Sequence, residues 1–161
     1  MLSKKPKKQD DPNTAKPSAE KKELQDDRVI QTLGITIAVI NTTKDLVPID
    51  LAKGILGTIG SILGIVQSVI KNKSDFLGIA NKCETIARVL ARATDGATND
   101  DLRGSLGDAL SELNVSLNRI NSEVTSKQEQ KWWQRLSSVT IDSDKISGWE
   151  KDLDRVLVLF N

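Results

Sequence analysis

From Gly54 to Ile70 the chain runs for seventeen residues without an ionisable side chain, bounded by Lys53 and Lys71. Within and just before this stretch, Leu51, Ala52, Ile55, Leu56, Ile59, Ile62, Leu63, Val66, Val69 and Ile70 recur at helical spacing. On a wheel advancing about 100° per residue they cover one broad side, while Asp50, Lys53, Gly54, Gly57, Gly60, Ser61, Gly64, Ser68 and Lys71 gather on the other. One continuous helix over residues 49–70 is therefore predicted, about 30 Å long and close to the thickness of a bilayer's hydrocarbon core. Gly54, Gly57, Gly60 and Gly64 form a stripe that costs about 0.5–1 kcal/mol per residue against alanine, on the order of 2–4 kcal/mol together. A penalty of that size points to a compensating close approach, by another helix or by lipid. Lys53 and Lys71 are spaced to reach opposite membrane interfaces. The buried central helix of a bundle would carry the same pattern.

The rest of the chain also reads as helix. Val29, Ile30, Leu33, Ile37 and Ile40 recur at helical intervals and predict a first helix from Asp27 to about Lys44, charge-free from Val29 to Thr43. The string Ile35-Thr36-Ile37-Ala38-Val39-Ile40 favours a strand by propensity alone, but the longer helical period decides. Pro48 separates this helix from the next. Lys71-Asn72-Lys73 ends the glycine-striped helix, and Asn72 or Ser74 is expected to cap a third, whose core side is Phe76, Ile79, Ala80, Cys83, Ile86, Ala87, Leu90 and Ala93. After a polar turn around Gly96, Asn99 or Asp100 is expected to cap a helix carrying Leu102, Leu106, Ala109, Leu113, Leu117, Ile120 and Val124. Its roughly three heptads suit a bundle seam. Residues 125–142 predict a short helix or an irregular crossing. Ser143 or Asp144 is expected to cap the last helix, with Ile146, Trp149, Leu153, Val156, Leu157 and Phe160 facing inward.

Residues 1–26 differ in kind. They hold three of the four prolines, Pro6, Pro12 and Pro17, with many charges and almost nothing apolar. Such a stretch cannot offset the entropy of ordering, so a disordered tail is expected, with Lys4, Lys5, Lys7 and Lys8 as a small basic cluster. The fold class expected is all-α: a four-helix bundle over residues 27–161 with an additional C-terminal helix and this disordered N-terminal tail.

Composition narrows the chemistry. With no histidine in the chain, the commonest general base and metal ligand is missing, and no catalytic, metal or cofactor site is predicted. The glycine-rich stretch lacks the Gly-Lys-Ser/Thr ending of a phosphate-binding loop. Asp100-Asp101 and Asp142/Asp144 fall at helix starts, where capping and the helix dipole explain them. Twenty-three basic and 22 acidic residues nearly cancel, and aromatic residues are few, so no nucleic-acid partner is predicted. Cys83, the only cysteine, has apolar flanks and reads as a buried small hydrophobe in a reducing compartment. The opening Met1-Leu2-Ser3-Lys4-Lys5-Pro6 leads into polar residues rather than a secretory leader, giving a cytoplasmic default. Trp132 and Trp133, beside Lys131 and Arg135, suit either a lipid headgroup interface or packing at the end of the bundle.

Leu46-Val47-Pro48 leading into Leu51-Ala52-Lys53-Gly54, the run to Val66-Gln67-Ser68-Val69-Ile70, and Lys71-Asn72-Lys73 resemble the N-terminal helical bundle of mixed-lineage-kinase-domain-like proteins. The likeness is to the fungal version found ahead of kinases and NOD-like receptors, and the pattern is also similar to fungal HeLo-type and plant resistance-type cell-death domains. Ile79 to Leu90 looks like the family's third helix, and Trp132-Trp133-Gln134-Arg135-Leu136 through Ile146, Leu153 and Phe160 like its closing segment. The resemblance covers residues 27–161 and rests on patterns of apolar and small residues. It implies an innate-immune, non-enzymatic domain that self-associates when a sensor or kinase module, in the same or another chain, is triggered. The domain then moves from cytoplasm to membrane, binds anionic lipid and permeabilises the bilayer. The expected membrane or oligomer interface is Val29, Ile30, Leu33, Ile37, Ile40, Lys53, Gly54, Gly57, Gly60, Gly64, Lys71, Trp132 and Trp133. A non-lytic adaptor bundle working through homotypic contacts is the alternative.

Overall fold

The computed structural model describes the backbone of residues 16–134 and 139–161, and the side chains of residues 21, 23–129 and 139–161. Five α-helices follow in order: α1 (Lys16–Leu46), α2 (Asp50–Val69), α3 (Leu77–Ala93), α4 (Ser105–Gln134) and α5 (Ser143–Leu157). Short 3-10 turns at Lys73–Phe76, Asn99–Arg103 and Val158–Phe160 join or end them. The fold is all-α, as the apolar periodicity requires.

The first helix starts earlier than expected. Residues 16–26, expected within the flexible tail, form the opening turns of α1, and residues 1–15, with the basic cluster, lie outside the described residues. Ala19, Glu20, Lys21, Lys22, Glu23, Leu24 and Gln25 are all strong helix formers. Pro17 falls in the first turn, where its missing N–H breaks no hydrogen bond. Extending a helix that is already packed also avoids the cost of nucleation. Low apolar content speaks to the packing of such a stretch and not to its backbone.

Pro48 disfavours helical backbone at Val47, and α2 begins two residues after it with Asp50 favourably placed at the positive end of its dipole. The caps differ from expectation at three places. Asn72 and Ser74 do not cap α3, which grows directly out of the 3-10 turn ending at Phe76. Ahead of α4 the Asp101 carboxylate accepts from the Thr98 N–H at 2.7 Å, so this pair organises a 3-10 turn and α4 itself starts at Ser105. The cap of α5 is Asp142, whose carboxylate accepts from the Asp144 N–H at 2.9 Å. Residues 125–134, expected as part of a short helix or an irregular crossing, instead continue α4 as far as Gln134.

The helices pack in a closed ring, α1 against α2, α2 against α4, α4 against α5, α5 against α3 and α3 against α1. Ala52, Ile55, Leu56, Ile59, Ile62, Leu63, Val66 and Val69 of α2 are all buried, making α2 the largest single contributor to the core. Burial of a full-sized apolar side chain contributes about 1.5–3 kcal/mol; among its described residues α1 buries three of them, Val29, Leu33 and Ile40, together with Thr36. Phe76 and Trp149 meet in a tilted pair, ring centres 6.3 Å apart, under the start of α5. Lys82–Asp154 joins α3 to α5 at 2.5 Å, and Lys145–Glu123 joins α5 to α4 at 2.8 Å; both are solvent-facing pairs of the kind that adds little to stability.

Candidate functional site

Helices α1 and α2 lie antiparallel. The Gln67 amide of α2 donates to the Ile30 carbonyl of α1 at 2.9 Å, Asn41 lies beside Gly60, and the Lys44 stem lies beside Gly57. The tightest approach along this seam is at Gly34, where an added Cβ would stand 3.3 Å from the Gln67 amide nitrogen. The small residue that the seam needs is thus on α1.

The glycine stripe of α2 runs from the loose edge of this seam, at Gly57 and Gly60, to open space at Gly54 and Gly64. Gly54 is exposed and Gly57, Gly60 and Gly64 are half-buried, with Ser61 and Ser68 exposed between and beyond them. A Cβ at Gly54 or Gly64 meets nothing within 4 Å; at Gly57 and Gly60 it meets only Lys44 and Asn41 side-chain atoms, at 3.6 Å or more. Contacts within the fold therefore do not repay the helix-propensity cost of these glycines. Lys53, half-buried, and Lys71, exposed, stand near opposite ends of α2, about 27 Å apart along its axis at 1.5 Å per residue.

On α1 most of the expected interface lies inside the bundle. Val29, Leu33 and Ile40 are buried in the core and Ile37 packs partly against it, because the stripe at helical spacing that identifies a helix is also the stripe a bundle buries. Only Ile30, 37% exposed, remains at the surface from that set. Besides Leu24, the large apolar residues of α1 that do face outward are Ile35, Val39 and Leu46, at 57%, 39% and 76% exposure. They fall within about 40° of one another on the helix wheel. A signal for them was present in residues 35–40, whose apolar side chains occupy both sides of the helix, and it was the feature that made this stretch resemble a strand.

The outward side of each helix thus carries no ionisable residue, over residues 29–43 of α1 and 54–70 of α2. Many of its hydroxyls are satisfied inside their own helices. Thr42 and Thr43 donate to the Ala38 and Val39 carbonyls at 2.9 and 2.8 Å, and Thr58 and Ser68 to the Gly54 and Gly64 carbonyls at 3.0 and 2.7 Å. Such back-bonding lowers the cost of moving a hydroxyl out of water. By length and composition α2 is also the one helix among the described residues able to cross a membrane, although 44% of that segment is buried in the bundle. Trp132 and Trp133 belong to the last turns of α4, and their side chains lie outside the described residues.

Thr36, buried on the inner side of α1, donates to the Glu84 carboxylate of α3 at 3.0 Å, a polar pin between these helices. Cys83, next to Glu84, is fully buried, and desolvation together with the Glu84 charge pushes its thiol up to about 12. It is a packing residue with an unreactive thiol at neutral pH. Among the described residues no three His, Cys, Asp or Glu side chains come together as a metal site. The chain matches no family model, no curated protein and no solved structure.

Proposed function

We propose that this chain is a regulated, membrane-active signalling domain of the cell-death type, which self-associates and permeabilises bilayers through α1 and α2. The observation that carries the proposal is the lack of charge on the outward side of both helices, with Ile35 and Val39 exposed on α1 and open space over Gly54 and Gly64 on α2. Lipid suits such a surface better than water does, and open glycines let a second helix come close without a steric cost. Burial adds a direction to the process. Releasing α1 uncovers Val29, Leu33 and Ile40, about 5–9 kcal/mol at 1.5–3 kcal/mol each, while α2 would uncover eight core residues. In this reading α1 moves first, and lipid or a partner copy offsets the cost.

A second reading, a non-lytic adaptor, is favoured by one observation: α2 is the most deeply embedded helix of the ring. Dye release from anionic vesicles separates the two. The membrane reading expects release by the full chain, loss of release in Ile35→Asp/Val39→Asp, and weaker release in Gly57→Leu and Gly64→Leu. Ile35 and Val39 are exposed, and a Cβ at Gly57 or Gly64 meets no backbone atom within 4 Å. Oligomers that form without any release, at every protein concentration, would reject it in favour of the adaptor.

A further inference from the structure

The chain approaching α5 is tied to the far end of α2 by a compact set of polar contacts. Val139 and Ile70 form a parallel bridge: the Lys71 N–H donates to the Val139 carbonyl at 2.7 Å, and the Val139 N–H to the Val69 carbonyl at 3.2 Å. Two residues further on, a side chain takes over the role of the backbone. The Asn72 amide donates to the Ile141 carbonyl at 2.7 Å, and its oxygen accepts from the Ile141 N–H at 3.1 Å, as a neighbouring strand's peptide group would. The same amide nitrogen donates to Asp75 at 2.9 Å, and that carboxylate accepts from the Ser143 hydroxyl at 3.0 Å, at the first residue of α5. Val139 and Ile141 are thereby seated as buried residues of the core.

Two features make this arrangement a fastening rather than ordinary core packing. Three of its hydrogen bonds pass through the single side chain of Asn72, so one group decides whether Ile141 is paired. That side chain also lines an open polar groove with Gln25 and Asp26 of α1 and with Lys71, Ser74 and Thr140, so water can compete for the amide.

We propose that Asn72 is a latch, holding residues 139–142 over the C-terminal end of α2, and that its opening is the local step that frees this end of α2 for lipid. The gating half of this inference rests on the membrane reading above; the latch half does not. A local opening of this kind exposes backbone groups without unfolding the ring, because the side chains holding α2 along its length are not part of it.

Hydrogen exchange on the full chain, wild type against Asn72→Ala, reads the latch directly. Asn72→Asp serves as a second variant, because it keeps an acceptor for the Ile141 N–H but removes the donor and sets a carboxylate against Asp75. The latch predicts that the Ile141 and Val139 amides exchange on the order of ten-fold faster or more in both variants, while Ile59, Ile62 and Leu63 change by less than about two-fold. Unchanged exchange at Ile141, or an equal acceleration throughout α2, would overturn it. Dye release from anionic vesicles by the same proteins reads the gate. Release at lower protein concentration in the variants supports gating, and a loosened Ile141 with release unchanged from an active wild type overturns it. Should neither wild type nor variant release dye, the membrane reading and the gate fall together, and the exchange pattern still decides the latch.

Discussion

Gly54→Ala/Gly64→Ala should make this protein more stable. Both glycines lie within α2, neither has a positive φ, and an added Cβ at either has nothing within 4 Å. A methyl group there introduces no clash and removes the backbone entropy that glycine loses when it becomes helical. The gain expected is about 0.5–1 kcal/mol per site, about 1–2 kcal/mol for the pair, because the positions are separated and share no neighbour. For a chain of this length that corresponds to a rise of roughly 2–8 °C in the melting midpoint. Urea denaturation followed by far-UV circular dichroism measures it, with an unchanged slope showing that the unfolding transition is the same one. A double variant as stable as wild type or less so would refute the reasoning, since it would mean that something in the folded chain rests on these glycines. Combined with weaker vesicle release, the stabilisation would show that the stripe costs stability and benefits an encounter outside the monomer.

Gly107→Ala should behave in the opposite way: its Cβ would run into the Leu102 carbonyl and stand 2.6 Å from the Leu102 carbonyl carbon, so a loss of about 1–3 kcal/mol or more is expected in the same urea experiment. Leu33→Ala, in the core, should cost about 2–5 kcal/mol, whereas Ile35→Ala, two residues along and exposed, should stay within about 0.5 kcal/mol; the comparison checks the rotational setting of α1. Cys83 should resist alkylation in the native protein at pH 8 and react at once in urea. Because its thiol is raised in the folded state, its contribution to stability is complete below about pH 9, where the unfolded thiol stays protonated. That contribution should be lost as pH climbs toward about 12, visible as a fall in the unfolding midpoint that Cys83→Ala lacks.

What could be read from the residues, and what could not, divides along the range of the interactions. The helices were legible because their apolar residues repeat locally, and α2 most of all because its core side and its glycine side separate cleanly. The start of α1 was not, since residues 16–26 carry helix-forming residues without an apolar stripe. Which side of α1 meets water was hidden by apolar residues on both sides of residues 35–40. Asn72 carries the local signature of a cap for α3, whereas its actual partner, Ile141, lies 69 residues away and no local pattern announces it. Gly107 has no local signature for the same reason: only the folded 3-10 turn brings the Leu102 carbonyl onto it. Long-range polar pairs and single close approaches leave no periodicity to read.

The most direct measurement places an environment-sensitive fluorophore on a cysteine introduced by Ser61→Cys, on the exposed side of α2, with Ser111→Cys on the exposed side of α4 as control. Cys83 can remain, since its buried thiol does not compete for the label at neutral pH. On addition of anionic vesicles the dye at position 61 should shift its emission to the blue and be quenched by a lipid-borne quencher, while the dye at position 111 stays aqueous. A dye at position 61 that remains in water while the vesicles leak would contradict entry of the α1–α2 surface into lipid.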